Sequence, residues 1–115
     1  MRTIEGDQVL MRIFIGQTDQ WKHRPLYTVL LELFRVKGLA GATVLQGLAG
    51  FGPDSILHEV HLFRLSQDLP LVIEVVDTQE RLDAVLPDVD RMMSGGLITM
   101  EKVHVLHYAQ SPKRA

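Results

Sequence analysis

The chain has no cysteine, few aromatic residues and no long apolar run. The absence of cysteine among its 115 residues excludes disulfides, thiolate metal sites and thiol nucleophiles. No apolar run approaches the roughly 20 residues that cross a membrane, and the N-terminus lacks the apolar stretch of a signal peptide. Because a protein without cysteine suits a reducing compartment, we expect a cytoplasmic protein.

An excess of basic charge is also missing. The formal net charge is −2 and the isoelectric point is near 6.2, which argues against nonspecific binding to nucleic acid. An RNA-recognition sheet would need aromatic residues in its central strands, and the strands here offer Val, Ile, His and Glu. A hydrophobic fraction of 46% predicts a globular chain, and this length predicts a single domain over residues 1–115.

Hydrophobic periodicity predicts four strands and two helices. A helix is expected between Pro25 and Gly38, and a second helix has Asp77 as N-cap, with Glu80 three residues on. Strands are predicted at Val9–Ile15, Ala42–Gly47, Leu71–Val76 and Glu101–Tyr108. This order predicts an α+β fold, the ferredoxin-like βαββαβ sandwich, with two helices on one face of an antiparallel sheet.

The predicted strands carry apolar residues on both faces, and the first helix has only a narrow polar stripe. Two helices cover one sheet face, so the other face needs a different cover. We expect another copy of the chain to supply it.

Two glycine-punctuated stretches are the clearest functional signal. The first is Gly41–Val44 followed by Gly47–Gly52, and the second is Gly95–Val105, which contains Lys102. Glycine turns can group backbone N–H donors that bind anions, and a lysine adds a positive charge. The pattern favours a phosphate site split across two loops, although plain turn geometry explains the glycines equally well.

The ordered set of short motifs resembles the PII-like signalling proteins, which have the GlnB-like fold. It is most similar to their uncharacterised bacterial and archaeal branch, over roughly residues 8–108. The matching residues are Gly16, Pro25–Tyr27, Gly38–Leu39, Gly41–Val44, Gly50–Gly52, Leu69–Pro70, Ile73–Asp77, Gly96–Thr99 and Glu101–Val103.

This resemblance implies a non-enzymatic regulator. PII proteins are homotrimers that bind adenine nucleotides in clefts between subunits. Their mobile T-loop, here residues 48–65, signals to a target protein, for which a membrane transporter is one candidate. A polar tail, residues 109–115, follows the domain.

The resemblance also carries over a set of binding residues. The T-loop base falls on Gly50, Phe51 and Gly52. The phosphate-facing B-loop falls on Gly96, Leu97, Ile98 and Thr99, and runs to Lys102 as the phosphate-binding lysine. Thr43, Glu74 and Val76 fall where PII proteins hold the base or sugar. Two segments depart from the PII pattern. Pro53–Ser55 loses cations that would bind phosphate, and Thr99–Glu101 adds a carboxylate, which together favour AMP or ADP over ATP.

Other interpretations stay open. A CutA-like metal-binding trimer would use histidines such as His58, His61, His104 and His107, although no metal site and no catalytic residues are expected. A small nucleotide-hydrolysing enzyme is a third possibility. The run Trp21–Arg24 is either a solvated loop or a cationic, aromatic lip of the nucleotide cleft.

Overall fold

The computed structural model describes residues 3–52 and 68–111. The predicted T-loop segment therefore lies outside the described residues from position 53 onward, as do His58, His61 and the end of the polar tail. Within the described ranges the strands are β1 (Gly6–Gly16), β2 (Gln20–Trp21), β3 (Arg24–Pro25), β4 (Ala42–Gln46), β5 (Pro70–Asp77) and β6 (Leu97–Val105). The helices are α1 (Leu26–Val36) and α2 (Gln79–Met92).

The main sheet has the strand order β4-β5-β1-β6, and every neighbouring pair is antiparallel. This is the ferredoxin-like arrangement, so the predicted fold class is confirmed. It places β1 and β5 in the centre and leaves β4 and β6 as the two edges.

The hydrophobic core lies between the sheet and the helices. Successive side chains of a strand point to opposite faces, so alternate residues of β1 and β5 point toward the helices. Met11, Ile13 and Ile73 are fully buried there, against residues such as Phe34 and Leu82 of the two helices.

The opposite face of the sheet, which we call the open face, has no helix against it within the described residues. It is largely apolar, as the sequence predicted. Leu45 and Leu97 on this face are 48% and 53% exposed. The register assigns to this face Leu10, Arg12, Phe14, Thr43, Leu45, Val72, Glu74, Val76, Leu97, Thr99 and Glu101.

The last strand differs from the prediction of Glu101–Tyr108. β6 begins at Leu97 because Leu97 and Ile98 already pair with Phe14 and Ile13 of β1. It ends at Val105, and Tyr108 leaves the sheet to donate its hydroxyl to the carbonyl of Ala40 at 3.0 Å.

The cap of α2 also differs from the prediction. The N-cap is Thr78, whose Oγ1 accepts from the backbone N–H of Arg81 at 3.1 Å. Asp77 is fully buried, and its carboxylate accepts from the N–H groups of Ala40 and Thr78 at 2.9 and 2.7 Å. Asp77 thus ties β5 to the turn before β4.

A small hairpin, β2–β3, replaces the loop that was predicted before α1. Its two-residue turn consists of Lys22 and His23, with φ angles of 49° and 68°. Pro87 lies inside α2 and does not interrupt the helix.

Candidate functional site

One part of each glycine-rich stretch, Gly47–Gly52 and Gly95–Gly96, lies at the same end of the sheet, which we call the loop end. β1 and β4 finish there at Gly16 and Gln46, and β5 and β6 begin there at Pro70 and Leu97. The register agrees, because Gly16 pairs with Pro70 and Phe14 pairs with Leu97. The base of the long loop and the turn before β6 therefore share one end of the subunit.

Gly96 is held against the central strand. Its φ of +103° disfavours a side chain, and a Cβ at this position would lie 2.4 Å from the carbonyl oxygen of Phe14. The same Cβ would lie 2.9 Å from Cε of Met93. Glycine is thus required here so that the turn after α2 can approach β1.

The base of the long loop packs on Pro70. The N–H of Gly47 donates to the Pro70 carbonyl at 2.7 Å. An added Cβ would lie 2.7 Å from Pro70 Cγ at Gly47 and 3.3 Å from it at Gly50. Phe51 is 68% exposed, so the aromatic ring of this motif is available to a ligand or a second subunit.

The three residues proposed to hold the base or sugar share the open face. Thr43 of β4 pairs with Glu74 of β5, and Val76 follows two positions along the same face. The structure therefore brings this part of the predicted set together. Glu74 is not free, because its carboxylate accepts from Arg12 Nε at 2.9 Å.

Arg12 is the centre of an ionic cluster that the sequence reasoning missed. Its guanidinium also forms an ion pair with Glu101 on the neighbouring strand β6. In the register, Arg12 itself lies opposite Thr99. Hydrogen bonds to Glu74 and Glu101 raise the pKa of Arg12. The cluster explains a glutamate in an apolar strand, and it could not be recognised before the register of three strands was known.

Lys102 lies apart from the glycine turn to which it was assigned. It pairs with Val9, five positions beyond Leu97, and five strand positions span about 17 Å. Lys102 and Ile98 belong to the helix-side register of β6, with residues such as Val9 and Ile13 of β1. A phosphate held by Gly96 is therefore out of reach of Lys102 of the same subunit.

A shallow cavity of about 440 Å³ lies at the turn between α2 and β6. Of the residues that the structure describes, Asp90 is the charged one in its lining, and none of them contributes a cation. A phosphate in this cavity would need positive charge from elsewhere, either another part of the loop end or a neighbouring subunit. The lining residues are Asp90, Met93, Ser94, Gly95, Gly96, Leu97 and Ile98.

The β2–β3 hairpin carries a second charged cluster. Arg24 forms a two-pronged pair with Glu32 of α1, at 2.9 and 2.7 Å. This pair raises the pKa of Arg24 and lowers the pKa of Glu32. The ammonium of Lys22 lies 5.3 Å from the ring centroid of Trp21, which is cation–π distance.

Within residues 3–52 and 68–111 there is no group of three or more His, Asp or Glu side chains that could hold a metal ion. His104 instead contacts the carboxylate of Asp7 at 2.9 Å. In the same ranges no helix is long and apolar enough to cross a membrane.

Comparison with known proteins identifies the family. Residues 8–105 match the family DUF190, described as Uncharacterized ACR. A UPF0166 protein of Aquifex aeolicus is 36% identical over 98 residues, which cover 85% of this chain and 92% of the relative. A UPF0166 protein of Methanocaldococcus jannaschii is 32% identical over 97 residues, which cover 84% of this chain and 89% of the relative.

Two solved structures have a similar fold. One is CPII bound to ADP, AMP and acetate, from Thiomonas intermedia K12, with a TM-score of 0.56 and 15% identity over 89% of this chain and 91% of that one. The other is CPII bound to ADP and bicarbonate, from the same organism, with a TM-score of 0.53 and 18% identity over 86% and 88% of the two chains. The chain therefore belongs to the DUF190 (UPF0166) family, and its fold is similar to that of CPII.

Proposed function

We propose that this protein is a non-enzymatic regulator that binds an adenine nucleotide between subunits of a homotrimer and signals to a partner protein. The observation that carries the proposal is the fold, which is shared with CPII structures that hold ADP or both ADP and AMP. The convergence of Gly47–Gly52 and Gly95–Gly96 at the loop end supports the same reading, because grouped N–H donors there suit phosphate oxygens.

We expect a second subunit to complete the cleft. Among the described residues, the cavity beside Gly96 is lined by a carboxylate and by no cation, and Lys102 lies about 17 Å along the strand from the turn. If Lys102 binds the phosphate, it does so toward the Gly96 turn of a neighbouring subunit. Thr43, Glu74 and Val76 on the open face would then lie near the subunit interface, where a base or sugar could be enclosed.

Calorimetric titration with adenosine, AMP, ADP and ATP tests this proposal. We expect AMP or ADP to bind more tightly than adenosine, and ATP to gain nothing further, because the chain lacks the phosphate cations of true PII proteins after Gly52. Absence of binding by all four ligands at millimolar concentration would contradict the nucleotide proposal.

The variant Lys102→Ala tests the role of the lysine. A charge-assisted hydrogen bond to phosphate is worth roughly 1.5–3 kcal/mol, so ADP should bind about tenfold more weakly or worse. Adenosine should be little affected. Lys37→Ala removes the same charge at the C-cap of α1, a position with no proposed role in the site, and should leave ADP binding intact. Equal losses for adenosine and ADP in Lys102→Ala would assign Lys102 to the fold.

A further inference from the structure

The turn of the β2–β3 hairpin has a backbone conformation that its residues disfavour. Trp21 pairs with Arg24, so Lys22 and His23 are the two central residues, and both have positive φ. Two-residue hairpin turns with two positive φ angles are of type I′ and strongly prefer Asn-Gly. Positive φ is energetically unfavourable for lysine and histidine, which suggests that their side chains have a function at this position.

Among the described residues of the hairpin, Lys22 adds a positive charge and His23 adds an imidazole, and neither is bound by a carboxylate. Arg24 is bound by Glu32, and Arg91 at the end of α2 is bound by Asp88 at 2.8 Å. Within the part of the chain that the structure describes, no carboxylate pairs with Lys22 or His23. The ring of Trp21 faces the Lys22 ammonium, and Trp21 itself packs against the core.

The base of the hairpin is fixed beside the two strands that frame the glycine loops. The N–H of Gln17 donates to the Leu69 carbonyl at 2.8 Å, and the N–H of Thr18 donates to Asp68 Oδ1 at 3.2 Å. The side chain of Gln46, at the end of β4, donates to Gln17 Oε1 at 2.7 Å. The hairpin is therefore attached where β4 ends and β5 begins.

We propose that Lys22 and His23 form an anion site that takes a phosphate group of the bound nucleotide. The proposal rests on the function proposed above, and it supplies a cation that no carboxylate neutralises, which the other described residues around the Gly96 turn do not offer. Lys22 provides a full positive charge. The imidazole of His23 provides an N–H donor, and the strained turn holds the two residues side by side at the hairpin tip.

Replacing the turn by the sequence it prefers tests the proposal. In the double variant Lys22→Asn/His23→Gly, the backbone strain is relieved and both side-chain donors are lost. The thermal midpoint should be equal to or higher than that of the unaltered protein, so a folding defect would not confuse the result. The dissociation constant for ADP should rise about tenfold or more, and that for adenosine should not change.

Lys37→Gln is the matched control, because it removes one formal charge at the far end of α1. It should bind ADP as the unaltered protein does. Unchanged ADP binding in the double variant, with binding intact in the unaltered protein, would overturn the hairpin proposal and leave the nucleotide proposal standing.

A second probe, pyrophosphate, separates the two proposals when no nucleotide binds. Pyrophosphate titrated into the ¹⁵N-labelled protein should shift the amide signals of Lys22 and His23, and it should not shift the corresponding signals of the double variant. Shifts in the unaltered protein without nucleotide binding would support an anion site and reject the nucleotide. If neither ADP nor pyrophosphate shifts these signals, the anion site is wrong.

Discussion

At the scale of single residues, Gly96 shows how little room the loop end leaves. The Phe14 carbonyl lies where a Cβ of residue 96 would be placed, and a backbone oxygen in a central strand cannot move aside cheaply. By contrast, open space surrounds Gly41, and its φ is not in the left-handed region. The two glycines therefore serve different purposes in the same chain.

We predict that Gly96→Ala destabilises the fold by about 2 kcal/mol or more, since overpacking and an unfavourable φ act together. Gly41→Ala should be neutral or slightly stabilising, because alanine narrows the unfolded ensemble without a clash. Urea unfolding of both variants measures the difference. A Gly96→Ala protein as stable as Gly41→Ala would show that the turn can be rebuilt without its contact with β1.

At the scale of elements, an ion pair joins the β2–β3 hairpin to α1. The side chains of Arg24 and Glu32 are each about half exposed, so their ion pair adds little to the free energy of unfolding. It does orient the hairpin on the helix. The pKa of Glu32 is below its ordinary value in the folded protein. The contribution of the pair is therefore present above the unfolded pKa of Glu32 and is lost as the pH falls through the folded pKa.

Because the pKa of Glu32 is lowered in the folded protein, the effect of Glu32→Gln on thermal unfolding should depend on pH. The variant should have a slightly lower unfolding temperature than the unaltered protein at neutral pH, and the difference should vanish as the pH falls through the lowered pKa of Glu32. High salt should also narrow the neutral-pH gap, because the pair is exposed. A gap that is the same at acidic and neutral pH would show that Glu32 acts through packing.

The elements also separate what periodicity can predict from what it cannot. Alternation in Val9–Ile15 predicted a strand and its apolar face, and the apolar run Leu71–Val76 predicted a second strand; these two prove to be the central pair of the sheet. The start of β6 was missed, since Leu97–Thr99 look like part of a glycine turn until their pairing with β1 is known. The hairpin was missed for a related reason, because Lys22-His23 lacks the glycine that usually announces such a turn.

For the candidate site too, some groupings made from the sequence match the structure and others do not. The resemblance to PII proteins assigned Thr43, Glu74 and Val76 to one site, and the register places them on one face of the sheet, while their binding role stays a prediction. It grouped Gly96 with Lys102 because they are close in sequence, whereas an extended strand separates them. The pair Arg12–Glu74, 62 residues apart, is visible only after folding.

At the scale of the whole molecule, the open face of the sheet is not covered by any other described part of the subunit. Its half-buried apolar residues surround the Arg12 cluster, and no other part of the described chain covers them. Such a face is a natural surface for identical copies, which fits the homotrimer proposed above.

We predict that Val72→Lys on the open face lowers the solution mass of the assembly toward that of one subunit, because a buried, unpaired ammonium is costly. Val36→Lys is the matched control. Val36 is 83% exposed at the end of α1, so its assembly should be unchanged. Light scattering at micromolar concentration gives the masses. A monomeric unaltered protein, or a Val72→Lys protein with unchanged mass, would contradict the use of this face.

The central position of β1 also has a consequence for synthesis. β1 pairs with β5 and β6, so its partners are made some sixty to ninety residues after it. Its apolar residues leave the ribosome early and remain unpaired until β5 and β6 have been translated. The β-strand that organises the finished sheet is thus the segment most dependent on protection from aggregation while the chain is being made.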